Sequence, residues 1–211
     1  MLEVRGLQCE RDSRTLFANL DFQVMPGSIL HIEGRNGCGK TTLLRALAGL
    51  LAPARGTIRW RGEAVGTLAE RYAGELCFLG HKAGLKGELG PCANLRAACR
   101  LHGWPTADIE RVLAGVGLAG YEQQPVARLS AGQQRRVALA RLWLSDAPLW
   151  LLDEPFTDLD KRAVAGLTRR LEEHAGGGGI IVIASHQDPP LLQVPLQALA
   201  LGTFEPAAEA A

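Results

Sequence analysis

No stretch of this 211-residue chain approaches the roughly 20 consecutive apolar residues that a membrane-crossing helix needs; the longest apolar runs, residues 149–152 and 179–184, are far shorter. The protein is therefore not expected to span a bilayer. Its first residues, MLEVRGLQCERD, carry charges where an export signal would carry an apolar run, so the cytosol is the expected compartment. Net charge is also nearly missing. With 23 basic and 22 acidic residues the balance is +1, which removes the overall field that draws a protein to nucleic acid or anionic lipid. Any membrane association is expected to run through a protein partner. Cys9, Cys38, Cys77, Cys92 and Cys99 form no C-x-x-C pair and have no metal-ligand spacing with the five histidines, so they read as reduced, mostly buried thiols. No internal repeat, heptad run or long linker interrupts the chain. What remains, at 47% hydrophobic residues, is enough for a sizeable core that folds without staples.

Residues 34–41 read GRNGCGKT. Gly34, Gly37, Gly39, Lys40 and Thr41 fit G-x-x-x-x-G-K-[ST], a loop whose backbone N–H groups wrap phosphates while the lysine reaches the terminal ones. Glycine lets the backbone approach that closely. The context also fits, because residues 28–32 are strand-like and residues 41–47 (TTLLRAL) begin a helix whose N-terminus favours an anion. A simple glycine-rich turn is the bland alternative. Cys38, beside Lys40 and that helix start, has two neighbours that lower a thiol pKa, so alkylation there is expected to inactivate; a small packing residue is the competing reading.

The first third reads as strands and turns: LEVRGLQ, LDFQV and GTIRW, the last followed by a glycine-punctuated segment. LCFLG, from Leu76, reads as a buried strand, and residues 92–102, 109–113 and 133–144 carry helical patterns. The last third alternates again, with strand 149–152, helix 161–174, a glycine stop at 176–179 and strand 180–184. Such alternation predicts an α/β fold with a mostly parallel sheet. The tail EPAAEAA has too little apolar content to hold a place and is expected to fray.

A phosphate loop alone serves kinases, GTPases and many ATPases, so other segments must decide. Residues 149–154 (LWLLDE) form an apolar strand that delivers two carboxylates at its C-terminal end, where open α/β sheets place ligands. Asp153 is suited to hold Mg2+ together with the Thr41 hydroxyl, and Glu154 to orient or deprotonate an attacking water; a strand-end turn with two solvated acids is the alternative. Residues 129–133 spell LSAGQ before the helix QQRRVALARLWL. Ser130 and Gln133 by themselves make a capping box.

Together with the loop and LWLLDE, LSAGQ resembles the signature sequence of ATP-binding cassette (ABC) ATPases, and the resemblance covers nearly the whole chain. It implies a P-loop NTPase of ABC type: an N-terminal antiparallel β-subdomain, a RecA-like parallel sheet core and an inserted helical subdomain. On that pattern residues 1–75 and 146–204 make the β-subdomain and core, residues 82–145 the helical signature subdomain, and residues 205–211 a frayed tail of a single domain. The resemblance further implies that Gly34, Asn36, Gly37, Cys38, Gly39, Lys40, Thr41 and Thr42 hold the phosphates of ATP with Mg2+. Asp160 falls in the D-loop of EPFTDLD, and His186, after the strand IIVIAS, is the switch histidine meeting the γ-phosphate. Ser130, Gly132 and Gln133 of one subunit would complete the site of a second, so a homodimer around ATP is expected. Lys40, Glu154 and His186 are the expected catalytic groups.

Two departures mark this chain. Arg11 stands where cassettes commonly stack adenine on an aromatic ring, a role an arginine plane can still fill. His81, in GHKAGLKGEL, stands where a glutamine normally contacts the metal and the membrane partner. With CERDSRTLF, DEPFTDLDKRAVA and the compact length, these features resemble the ATP-binding subunits of cytochrome c maturation systems. That resemblance implies a peripheral ATPase on the cytoplasmic face of the bacterial inner membrane. Its partners would be membrane subunits resembling CcmB and CcmC, with a functional link to the haem chaperone CcmE. A soluble cassette on nucleic acid and a P-loop small-molecule kinase are the competing classes. Neutral charge weighs against the first, which favours a basic stripe, and LSAGQ against the second.

Overall fold

The computed structural model describes residues 1–12, 14–190 and 193–202; the expected fraying tail at 205–211 lies outside them. Strand β1 (Leu2–Arg11) and strand β2 (Arg14–Val24) pair antiparallel from Leu2↔Val24 to Arg11↔Arg14. Along β1 the buried residues Leu2, Val4, Leu7 and Cys9 follow the two-residue period of a half-buried strand, shifted once where Gly6 bulges. Strands β4 (Arg55–Trp60) and β5 (Glu63–Ala64) complete a sheet of order β2-β1-β4-β5.

The second sheet is parallel, in the order β6-β7-β8-β3-β9: β3 (Ile29–Glu33), β6 (Leu76–Leu79), β7 (Leu149–Asp153), β8 (Ile180–Ala184) and β9 (Leu196–Ala200). Strands β7 and β8 are buried throughout, which is why both read as continuous apolar runs rather than alternating ones. Their residues divide between two cores. Leu149, Leu151, Ile180 and Val182 face helix α1 (Lys40–Leu47) and the antiparallel sheet, whereas Trp150, Leu152, Ile181 and Ile183 face the remaining helices.

Those helices are α3 (Pro91–His102), α4 (Ile109–Gly115), α5 (Ala131–Leu139), α6 (Arg141–Leu144) and α7 (Lys161–Gly176). The expected single helix over 133–144 is divided at Ala140, where Trp143 N–H donates to the Ala140 carbonyl and tightens the turn. Helix α2 (Val65–Gly74) occupies the glycine-punctuated segment, and edge strand β9 was not expected. Among the described residues no helix is long and apolar enough to cross a membrane. All five cysteines are free and buried, as expected.

Two clamps tie the layers. The Trp150 indole stacks on the His174 ring at 3.6 Å and 7°, with the Arg170 guanidinium 5.1 Å from the indole, joining β7 to α7. Buried Asn94 of α3 makes four hydrogen bonds to the backbone of Lys86, Leu89 and Gly90 and so pins the segment between β6 and α3.

Candidate functional site

The site lies at the C-terminal ends of β3, β7 and β8, where side chains and loop backbone from three adjacent strands converge. After Glu33 the chain turns through residues 34–39 and enters α1. Gly34 has φ 149°, and a Cβ there would lie 2.6 Å from both Cys38 Sγ and the Leu201 carbonyl oxygen, so only glycine fits. No side chain caps the start of α1. The first N–H groups of a helix have no partner within it, and a helix end of this kind suits an anion. Lys40 is 7% exposed, and its Nζ donates to the carbonyls of Gly34 at 2.6 Å and Arg35 at 3.4 Å. Its charge is thus held against the loop.

Thr41 Oγ1 donates to Asp153 Oδ2 at 2.8 Å, joining the helix start to the end of β7. Burial pushes the Asp153 carboxyl above its ordinary pKa, against the Thr41 hydrogen bond that lowers it. A buried carboxylate beside a hydroxyl is a hard oxygen donor set that suits Mg2+. Glu154 follows with φ 48°, a left-handed conformation unusual for a residue with a side chain. Its carboxylate accepts from the His186 N–H at 3.1 Å and the Ser185 hydroxyl at 3.2 Å, and lies 3.0 Å from His186 Nδ1. A carboxylate held by two neighbouring groups has its orientation fixed before substrate arrives.

One cleft brings together Arg11, Asn36, Gly37, Gly39, Lys40, Thr41, Thr42, His81, Asp153, Glu154 and His186. Leu16 and Thr157 also line it, positions whose residue types carry no signal of such a role. Arg11 lies exposed at the rim, its Nε 3.4 Å from Asp12. Cys38 requires a correction. Its side chain is 4% exposed and packs in the core shared by both sheets, because the loop turns the thiol inward beside Gly34. The expected reactive thiol in contact with phosphate is therefore not what this fold presents.

Ser130, Gly132 and Gln133 do not line the cleft. They form the expected capping box at the start of α5: Ser130 Oγ accepts from Gln133 N–H at 3.2 Å, and Gln133 Oε1 accepts from Ser130 N–H at 2.9 Å. Gly132 passes so close to the Asp158 carbonyl oxygen that an added Cβ would stand 2.8 Å from it. Asp160 caps α7 by accepting from Ala163 N–H at 2.8 Å. The chain thus carries a cleft lined by the loop of Lys40 and, apart from it, a capped helix start whose Ser130 is exposed.

A family model described as "ABC transporter" matches residues 17–157, from β2 past Glu154. The chain belongs to the ABC transporter family. As an ABC ATPase it binds ATP and hydrolyses it. It is 48% identical over 190 residues to the cytochrome c biogenesis ATP-binding export protein CcmA of Vibrio vulnificus (strain YJ016), covering 89% of this chain and 93% of that protein. It is 48% identical over 203 residues to a bifunctional cytochrome c-type biogenesis protein, CcmAE, of Salmonella choleraesuis (strain SC-B67), covering 96% of this chain and 60% of that protein. A solved dimeric ATP-binding cassette, in a post-hydrolysis state with ADP and Pi, superposes with a TM-score of 0.78 at 20% identity, over 89% of this chain and 88% of the other. This last likeness shows the ABC fold alone.

Proposed function

We propose that the chain is the ATP-hydrolysing subunit of a membrane ABC complex for c-type cytochrome maturation, coupling hydrolysis to haem export or to release of the haem chaperone. The reading rests above all on 48% identity across nearly the full length of a CcmA export protein. In this reading the N–H groups of residues 36, 37 and 39–42 cradle the phosphates of ATP, while the Cys38 N–H donates to the Arg35 carbonyl at 3.2 Å and shapes the loop. Lys40 leaves its two loop carbonyls to meet the β- and γ-phosphates. Thr41 and Asp153 would hold Mg2+, which would supply positive charge against the phosphate oxygens. Arg11 lies against the base at the cleft rim, and His81 meets the metal side of the cleft. Glu154 orients the attacking water and accepts its proton as the γ-phosphoryl group leaves ADP, while His186 faces the γ-phosphate.

Ser130, Gly132 and Gln133 belong to the site of a second copy, which accounts for an exposed capped helix start lying outside the cleft. ATP closes the homodimer and hydrolysis opens it. The partners are membrane subunits resembling CcmB and CcmC, on the cytoplasmic face of the inner membrane. CcmE is the linked chaperone, a link supported by the name of the bifunctional relative, CcmAE. Residues 81–89, with exposed Lys82 and Lys86 on a segment pinned by Asn94, make the docking surface for the membrane subunit. No nucleic acid is involved.

Cells carrying Lys40→Ala are expected to lose covalent haem attachment to c-type cytochromes and to accumulate haem-loaded chaperone, with b-type cytochromes unchanged. Haem-stained gels read the first and spectra of the purified chaperone the second. Normal c-type cytochromes in that strain, with no second copy of the gene, would overturn the assignment.

A further inference from the structure

Arg135 of α5 is 8% exposed, and its guanidinium points away from water into the turn that carries Glu154. Its Nη2 donates to the Asp153 carbonyl at 2.8 Å and to the Glu154 carbonyl at 2.6 Å, while Nη1 reaches the Gly80 carbonyl at 3.5 Å. The first carbonyl belongs to the peptide plane before the Glu154 Cα and the second to the plane after it. One guanidinium that holds both planes fixes φ and ψ between them. The conformation so held is the left-handed one, φ 48°, which persists in a residue with a side chain only where surroundings impose it. From that backbone the Glu154 carboxylate reaches Ser185 and His186. Asp153, Asp158 and Glu154 oppose the lowering of the Arg135 pKa by burial, which favours retention of the charge.

We propose that Arg135 is a positioning residue for ATP hydrolysis: by bridging the Asp153 and Glu154 carbonyls it holds the Glu154 carboxylate in its working orientation. The proposal rests on the reading of Glu154 as the group that handles the attacking water. Both bonds leave a single nitrogen, Nη2, and the amine of a lysine ends one bond short of that point and the amide nitrogen of a glutamine two bonds short, so neither reproduces the pair of bonds.

The test measures single-turnover hydrolysis, nucleotide affinity and thermal unfolding for Arg135→Lys, Arg135→Gln, Glu154→Gln and the doubles combining each Arg135 change with Glu154→Gln. Misplacing a reacting group by about an ångström costs on the order of 100-fold. Both Arg135 variants are therefore expected to lose about ten-fold or more in rate with nucleotide affinity nearly unchanged. The doubles are expected to match Glu154→Gln alone, because residues acting through one another are not additive. A multiplicative loss in the doubles, weaker binding with an intact rate, or failure of both Arg135 variants to fold would each overturn the proposal. Glu154→Gln with near-native turnover would remove the Glu154 reading and the proposal with it. An inactive Glu154→Gln beside fully active Arg135 variants would remove the proposal alone.

Discussion

Asp153 and Glu154 are neighbours in sequence yet meet different partners, Thr41 for the first and Ser185 and His186 for the second. Asp153 is 2% exposed, and burial disfavours its charged form. A carboxyl whose folded pKa is raised opposes folding at neutral pH, and the opposition fades as pH falls through that value. Asp153→Asn, which keeps an acceptor for Thr41, is accordingly expected to raise the melting temperature of the nucleotide-free protein while abolishing Mg2+-dependent hydrolysis. Calorimetry and phosphate release check the two halves. Glu154→Gln keeps the shape and loses the base, so turnover should fall about 100-fold or more with ATP binding retained. An ATP-dependent dimer should then be trapped on gel filtration, and monomer alone would contradict the two-copy site. For Cys38, burial replaces the reactivity expected from its neighbours: maleimide should label it only upon unfolding, with or without MgATP.

At the scale of elements, the capping box of α5 has a fold role and a proposed ligand role in the same atoms. Ser130→Ala should cost about 1 kcal/mol by removal of the cap, read as a lower denaturation midpoint, and should reduce hydrolysis far more than that loss of stability explains. The segment between β6 and α3 offers a cleaner separation. Charge reversal at Lys82 and Lys86 should abolish co-purification with the membrane subunits and leave the ATPase rate of the isolated protein unchanged. Legibility in sequence follows the same division. The phosphate loop, LWLLDE and LSAGQ were readable because each packs its chemistry into consecutive residues. Helix α2 was hidden by Gly66 and Gly74, and β9 by a short stretch, LQALA, that lies largely exposed at a sheet edge. Arg135 could not be read, since its partners are backbone carbonyls that any residue supplies. The inward turn of Cys38 could not be read either, because loop geometry rather than residue type sets it.

For the whole molecule, the stack of His174 on Trp150 makes stability depend on pH. Burial and the nearby Arg170 charge hold the His174 pKa down to about 4, from 6.5. Between those values the unfolded chain binds a proton that the folded chain refuses, so stability present above about pH 6.5 is lost progressively toward pH 4. Allowing for solvent screening of a partly exposed ring, the loss should be about 2 kcal/mol. Urea midpoints at pH 7 and pH 4.5 check it, and His174→Phe should flatten the difference.

The strand order has a consequence in time as well as in space. Strand β3, which leads into the phosphate loop, lies between β8 and β9, and its partners Ile181 and Leu196 are synthesised about 150 residues after it. At roughly 5–20 residues per second of synthesis, β3 waits about 8–30 s with both edges open. The nascent chain carries its nucleotide loop long before it can hold it in place, and during that interval both edges of β3 present unpaired backbone N–H and C=O groups open to pairing with another strand.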